Sequence, residues 1–551
     1  MTAGGLLLEA AGQAGWYGLM TRSSGPQIRG GEAAALVRLS TRPVESHKDR
    51  FDLLLAIDWN NADRFAGEIA LDHDSLIIGD RDSRDPLPAR YAAMGGRQAA
   101  VALAALARQI EGGRANMVAL GILAGLIGLP LEALEEVAGR ILERKGTAAV
   151  TAGRRCIAAG AEQAPTLPPL PALAGADTRK GERWSITGNE AAGLGAIRGG
   201  VRFAAAYPIT PATELLEWLA PALRRVGGVL IQAEDELASI NQLIGASFGG
   251  VPALTATSGP GLALMTESIG LAVASETPLV VVDVMRGGPS TGIPTKSEQS
   301  DLNIALYGLH GDAPHLVLAP TSIGDCLFTT QWAVHLAESL QTAAIVLSDQ
   351  SLGQSRVVME PPADLQFVGG RRLQEQPVAD YRRYAVNDSG VSPMALPGTP
   401  GCQYTADGLE HAESGTPSSR ADDHHRQLAK RRRKLERFDY GDHWAVIEGE
   451  GETGVVTWGS SCAPVREALA LLQSEGIGVR LIALRLLLPA RPEQMEQALR
   501  GLQRLLVVEQ TEGAQFHHYL KSCYTLPADT RSMAIPGPLP IRPLEVYLRL
   551  R

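Results

Sequence analysis

A multidomain α/β protein built on doubly wound parallel sheets is the fold class the sequence predicts, and three observations predict it. Short apolar runs of β type alternate with helical patterns through the middle and end of the chain, the order that places helices on both faces of a parallel sheet. Glycine and proline are abundant, at 60 and 34 residues, as many tight strand-to-helix turns require. The 551 residues exceed what one hydrophobic core organises, and at about 150 residues per domain they imply three or four domains.

Taken in order, residues 1–160 predict a Rossmann-like domain. It opens on a helix at Met1 to Ala11 and carries two strands, Leu53-Leu-Leu-Ala-Ile-Asp58 and Ser75-Leu-Ile-Ile-Gly79. No strand and no GxGxxG precede the helix, so a dinucleotide has no glycine loop to sit on. Residues 161–183 are proline-rich and predict an extended, semi-rigid linker. Within 184–375 the runs Arg202 to Ala206, Val229 to Ile231, Ala253 to Ala256, Leu279 to Val284 and Ala344 to Leu347 predict strands, with helices such as Glu214 to Leu223 between them. Residues 376–440 are polar, rich in Gly, Pro, Ser, Asp and His, and predict a connecting arm. The arm ends in Lys430-Arg-Arg-Arg-Lys434, which reads as a solvated or salt-bridged helix face, or else as a docking surface for an acidic partner or CoA phosphates. Residues 441–551 repeat the α/β order: strand Val455 to Trp458, helix Pro464 to Leu472, strand Val479 to Leu484, helix around Pro492 to Leu502, strand Leu505 to Glu509. This predicts a smaller doubly wound domain.

Charge and cysteine usage exclude several classes. The 51 basic and 60 acidic residues give a net charge of -9, a poor field for holding nucleic-acid phosphates or anionic lipid. The five cysteines are widely separated and form no CxxC or ferredoxin-type run, so no Fe–S cluster or structural zinc is expected in this chain, and a cytoplasmic location is. The longest apolar stretch, Met117 to Leu131, is too short for a spanning helix and contains Pro130, and no signal peptide is evident.

The chemistry is concentrated between 184 and 375. Tyr207-Pro-Ile-Thr-Pro-Ala-Thr213 presents Thr210 where a strand ends and a helix begins. Glu234-Asp-Glu236 places three acids ahead of an otherwise uncharged helical stretch, costly unless one is used, although acids near a helix N-terminus are also stabilised by its dipole. Thr257-Ser-Gly-Pro-Gly261 opens another helix, where backbone N–H groups meet ligands, and Arg286-Gly-Gly-Pro-Ser-Thr-Gly292 follows the next strand. All four loops follow strands of one predicted parallel sheet, so they gather at its carboxyl edge, the ligand-binding edge of open α/β sheets.

Together with Gly188-Asn-Glu-Ala191, these loops in this order resemble the α subunit of the 2-oxoacid:ferredoxin oxidoreductases, most closely the 2-oxoglutarate type with a γ domain fused in front. Arg29-Gly-Gly-Glu32 and the Leu120-Gly121 to Gly128-Leu-Pro130 segment resemble the γ domain, and residues 453–551 resemble the transketolase C-terminal-like domain. The family's glycine-rich GxGGQG start is absent, which implies a missing first strand. The resemblance implies thiamin diphosphate shared between a pyrimidine-binding domain at 184–375 and a β subunit that holds the Mg2+–diphosphate site and a [4Fe–4S] cluster. This chain has neither a GDG…N motif nor clustered cysteines, in keeping with that division. The implied reaction is oxidative decarboxylation of a 2-oxoacid with CoA as co-substrate, giving an acyl-CoA, CO2 and electrons passed to ferredoxin, or the reverse, in an (αβ)2 heterotetramer.

By the family's spacing, nine residues before Gly245-Ala246, Glu236 is the catalytic carboxyl at N1′ of the aminopyrimidine. Such a carboxyl promotes the imino tautomer that removes the cofactor's C2 proton. The resemblance places Thr210 and Arg286 on the substrate, and Tyr207, Pro208, Ile209, Ser258 and Gly259 beside Glu236 on the cofactor. The residues that read the far end of the substrate are not identifiable, which leaves pyruvate, branched-chain or aryl 2-oxoacids as alternatives. An alternative of another class is a non-catalytic nucleotide-binding or assembly protein.

Overall fold

The computed structural model describes residues 2–25, 33–176 and 181–551, so the Arg29 to Glu32 segment lies outside the described residues. The chain divides into two compact units. One holds residues 1–186, 355–363 and 542–544; the other holds 187–354, 364–541 and 545–551.

In the first unit the opening helix appears as Thr2–Gln13, and the two expected strands as Leu53–Leu55 and Leu76–Asp80, parallel to each other and to Arg97–Val101. The sequence reading does not include the long antiparallel pair Tyr17–Ser24 and Ala33–Ser40, flanked by Arg356–Met359 from much later in the chain. The helix Ala115–Ile127 is apolar around most of its circumference. It is buried accordingly, its Val118, Leu120 and Ile122 packing with Leu76, Leu103, Leu134 and Ile157 in one core.

The second unit carries a seven-stranded sheet: β1 Phe203–Ala206, β2 Val229–Gln232, β3 Ala253–Thr257, β4 Leu279–Met285, β5 Leu316–Leu318, β6 Ala343–Asp349 and β7 Leu486–Leu488. Their spatial order is β7-β5-β6-β4-β3-β1-β2. Six strands run parallel, and only the edge strand β7 is antiparallel, on β5. The central strands β3, β4 and β6 are buried along their whole length, as the continuous apolar runs require. The crossover helices that position the site are α1 Gly188–Gly199, α2 Thr213–Arg225, α3 Glu236–Phe248 and α4 Gly259–Ala274.

The C-terminal strands form a five-stranded sheet ordered Ala445–Glu448, Val479–Leu484, Thr453–Trp458, Arg504–Glu509, Asp529–Ala534, parallel except at the first strand. Gln299 ties this sheet to the central one. Its Nε2 donates to Trp458 O at 2.8 Å, and its Oε1 accepts from Ser461 Oγ at 3.0 Å and Gln510 N at 2.7 Å. Arg485 adds a two-point ion pair to Asp325, at 3.1 and 2.9 Å.

The arm is mostly irregular but ends in the helix α5 Ala421–Glu436, and the basic run on it is not a uniformly solvated face. Lys430 and Lys434 are buried, with their Nζ atoms 2.6 and 3.3 Å from the two oxygens of the buried Glu276. Arg432 alone of the run is largely exposed.

Candidate active site

The carboxyl edge of the seven-stranded sheet is built from the loops after β1 to β4. The first loop, Tyr207 to Pro211, leaves β1 and is held from α1. Thr187 and Glu190 cap that helix reciprocally, and Asn189 Nδ2 donates to Pro211 O at 3.0 Å. Pro208, Ile209 and Thr210 are half-buried, whereas Tyr207 is 42% exposed.

After β2 the three acids separate. Glu234 and Asp235 face solvent, and Asp235 caps α3 by accepting from Ala238 N at 2.6 Å. Glu236, the first residue of α3, is only 7% exposed, and the described residues offer its carboxyl no hydrogen-bond donor. The sequence left helix capping and chemistry as alternatives for this cluster; the fold gives the cap to Asp235 and buries Glu236.

The turn after β3 shows why its glycines are needed. A Cβ on Gly261 would fall 2.8 Å from Glu236 Oε1, and one on Gly259 would fall 2.5 to 2.7 Å from all three atoms of the Asp301 carboxyl. Both acids therefore press against the first turn of α4, where the helix dipole favours negative charge. Ser258, immediately before that turn, is buried with its Oγ unpartnered, as is Thr255 Oγ1 on β3.

After β4, Arg286 is 7% exposed and its Nη1 donates to Thr210 O at 2.6 Å, while its Nε is buried without a partner. The structure thus brings Arg286 and Thr210 together, through the main-chain carbonyl of Thr210. Ser300 Oγ donates to Arg286 O at 2.7 Å and lies 3.0 Å from Asp301 Oδ1. Beneath this loop, Asp283 on β4 is fully buried, and neither of its carboxyl oxygens has a hydrogen-bond partner among the described residues. Burial and the neighbouring Asp301 charge push Asp283 well above the usual carboxylate range. Burial also raises Asp301, to about 6, against the opposing pull of Ser300 and Arg286.

Asn189, Asp283 and Asp301 are the residues at this edge that sequence reasoning missed. A lone acid in the apolar run Leu279 to Met285 is a signal that could have found Asp283, because an unused charge there is expensive. Nothing in the spacing reveals Asp301 as the charge that acts on it.

Comparison with known proteins accords with this geometry. Residues 194–430 match the family model described as "Pyruvate flavodoxin/ferredoxin oxidoreductase, thiamine diP-bdg", and residues 1–163 match "Pyruvate ferredoxin/flavodoxin oxidoreductase". The 2-oxoglutarate synthase subunit KorA of Methanothermobacter marburgensis is 36% identical over 344 residues, 61% of this chain and 90% of the relative. The chain belongs to the 2-oxoacid:ferredoxin oxidoreductase family. Another relative is the 2-oxoacid:ferredoxin oxidoreductase 2 subunit alpha of Aeropyrum pernix, 33% identical over 78% of this chain and 70% of its own length. Among solved structures, the 2-oxoglutarate:ferredoxin oxidoreductase from Magnetococcus marinus, with 2-oxoglutarate, coenzyme A and succinyl-CoA bound, superposes with a TM-score of 0.91. It is 34% identical, over 100% of this chain and 96% of that one. Members of the family are oxidoreductases with an iron–sulfur protein as electron acceptor, and the family model over 194–430 identifies a thiamin-diphosphate-binding domain here. Among the described residues no helix is long and apolar enough to cross a membrane.

Proposed function

We propose that this oxidoreductase chain is the α-type subunit, with a fused γ domain, of an enzyme that converts 2-oxoglutarate and CoA to succinyl-CoA and CO2. Electrons pass to ferredoxin, or the reaction runs in reverse. On this reading residues 1–160 are the γ-type domain, 184–375 the pyrimidine-binding domain and 441–551 the transketolase C-terminal-like domain.

The observation that carries the reading is Glu236: a buried carboxyl without a donor, at the carboxyl edge of the sheet, while its acidic neighbours face water. That group suits N1′ of an aminopyrimidine, and the unpartnered Ser258 Oγ and the glycine turn beside it leave polar groups and room for a flat ring. When bound, thiamin diphosphate supplies the nucleophilic carbon that the decarboxylation of a 2-oxoacid needs. Glu236 holds a proton at N1′; Tyr207, Pro208, Ile209, Ser258 and Gly259 line the ring's surroundings; Arg286 and Thr210 position the oxoacid's carboxylate and keto group.

A β subunit completes the site, bringing Mg2+, the diphosphate-binding domain and a [4Fe–4S] cluster in an (αβ)2 assembly. In support, apolar side chains stand exposed on the elements carrying these loops: Val229 and Ile231 on the edge strand β2, Leu237 on α3 and Leu264 on α4. The substrate is read from the relatives named for 2-oxoglutarate. CoA-dependent dye reduction by the purified complex, compared across 2-oxoglutarate, pyruvate and 2-oxoisovalerate, tests it: 2-oxoglutarate is expected to give the highest kcat/KM, and a preference for either other acid contradicts the assignment.

A further inference from the structure

The loop that leaves β4 at Arg286 turns back on itself before the chain moves on. Gly287 N donates to Lys296 O at 3.0 Å and Ile293 N to Gly287 O at 2.8 Å, and the chain then returns along Gln299 and Ser300. Ser300 Oγ donates to the main-chain carbonyl of Arg286 at 2.7 Å, while the guanidinium of the same arginine donates to Thr210 O at 2.6 Å. Arg286 is thus held at both ends, its main chain by Ser300 and its Nη1 by Thr210.

What fixes Ser300 belongs to the C-terminal sheet. The fully buried Gln299 adds to its side-chain bonds there a main-chain one, from its N to Gln510 O at 3.0 Å. Gln515 Nε2 donates to Ser300 O at 3.2 Å, and Gln515 Oε1 accepts from Asn303 N at 3.0 Å. Trp458 ends the strand Thr453–Trp458, Gln510 follows Arg504–Glu509, and Gln515 opens the helix Gln515–Cys523. Residues 299–303 therefore rest on the carboxyl edge of that sheet, the edge at which open α/β sheets bind ligands. Gly459 makes room for them: a Cβ there would fall 2.6 Å from Gln299 Nε2, at a φ of 60° that favours glycine. Two of the first amides of the helix are spent within the chain, since Phe516 N and His517 N donate to the buried Glu509 carboxylate at 2.8 and 2.9 Å. Where a ligand could sit, this edge holds the root of the Arg286 loop.

We propose that Gln299 and Ser300 are positioning residues for Arg286, through which the C-terminal domain sets the guanidinium against the carboxylate of the 2-oxoacid. Neither touches substrate. The proposal rests on reading Arg286 as the carboxylate receptor, and it gives the C-terminal domain a part in substrate affinity. A charge-assisted contact depends on the aim of its donors, so loosening the root of the loop weakens it without removing the charge. Ser300 Oγ also lies 3.0 Å from Asp301 Oδ1, but a hydroxyl has one hydrogen to give, and the Arg286 carbonyl is the nearer acceptor.

The test is steady-state kinetics of the assembled complex with its preferred 2-oxoacid at saturating CoA, comparing Ser300→Ala, Ser300→Thr, Arg286→Ala and the double variant Ser300→Ala/Arg286→Ala. Ser300→Ala should raise KM about two- to tenfold, the loss of one hydrogen bond, with kcat within about twofold of the wild type. Ser300→Thr keeps the hydroxyl and should restore the wild-type KM. In the Arg286→Ala background Ser300→Ala should add nothing, because its effect passes through that side chain. Gln299→Leu, similar in volume but without the bonds, should also raise KM; if it does not fold, the Ser300 variants decide alone. A KM unchanged in Ser300→Ala, or raised by the same factor with and without the Arg286 side chain, overturns the positioning role and leaves the receptor reading standing. A KM unchanged in Arg286→Ala overturns the receptor reading itself, and the proposal with it.

Discussion

The guanidinium of Arg286 spends Nη1 on the Thr210 carbonyl and keeps a buried, unpartnered Nε, so one side chain both ties two loops together and retains capacity for a ligand. On the proposed reading, Arg286→Ala raises the KM for the 2-oxoacid about ten- to hundredfold, the loss of one charge-assisted contact of about 1.5 to 3 kcal/mol. Thiamin diphosphate affinity should change little, and steady-state kinetics with the cofactor titrated separately checks both. A collapse of cofactor affinity instead assigns the arginine to bracing the loops. At this scale the sequence was informative where chemistry leaves local traces: three acids before an apolar helix, two prolines around Thr210, glycines opening α4. It was silent on Asp301 as the charge that acts on Asp283, because the fold brings the loop after β4 back toward the strand with no shared local pattern to announce it.

The arm helix α5 is fastened by a buried charge cluster rather than by an apolar stripe. Glu276 accepts Lys430 Nζ at 2.6 Å and Lys434 Nζ at 3.3 Å, and the same Lys434 Nζ donates to Gln341 O at 2.7 Å. Burial would raise Glu276, but the charges of Lys430, Lys434 and Arg383 hold it below the usual carboxylate range. Glu276→Gln leaves two buried ammonium groups without their counter-charge and should cost about 3 to 5 kcal/mol, read as a lowered thermal midpoint. Burial pulls Lys430 down to about 8 and Lys434 to about 7, below the 10.5 of an ordinary lysine, despite the attraction of Glu276. The unfolded chain therefore binds more protons than the folded one over that interval, so these lysines make stability rise with pH from about 7 to about 10. Lys434→Met removes its share of the rise, which thermal melts of both proteins at about pH 7 and about pH 9.5 should show as a smaller gain in the variant. Strands and helices of the second unit were legible from apolar periodicity, which directly reflects burial. The basic run was legible in part: a salt-bridged helix face was among the expected readings and the ion pairs to Glu276 and Glu410 match it, but the burial of Lys430 and Lys434 was not foreseen, since charge normally signals solvent; the clue is that these two lysines are four apart and share one helix face.

Across the whole molecule, the central strands of the seven-stranded and five-stranded sheets follow from the alternation of runs in the sequence; the antiparallel β7 and the short β5 escape notice because three residues carry no periodicity, and the two edge strands Ala445–Glu448 and Asp529–Ala534 of the five-stranded sheet were not read either. The hairpin of the first unit escaped for another reason: its third neighbour, Arg356–Met359, comes from a remote segment that no local pattern announces. The five cysteines are unpaired, four of them buried, and they are spread from Cys156 to Cys523. The chain purified without a partner should therefore show no charge-transfer absorption near about 400 nm and bind thiamin diphosphate weakly; absorption there that follows this chain alone contradicts the division of cofactors between subunits. The account turns on Glu236, and the assembled enzyme tests it most directly through exchange of the C2 proton of thiamin diphosphate, followed by acid quench and NMR. Glu236→Gln should slow that exchange by at least about a hundredfold with the complex assembled, while Glu234→Gln exchanges as the wild type does. Wild-type exchange in Glu236→Gln, or a larger defect in Glu234→Gln, would contradict the assignment.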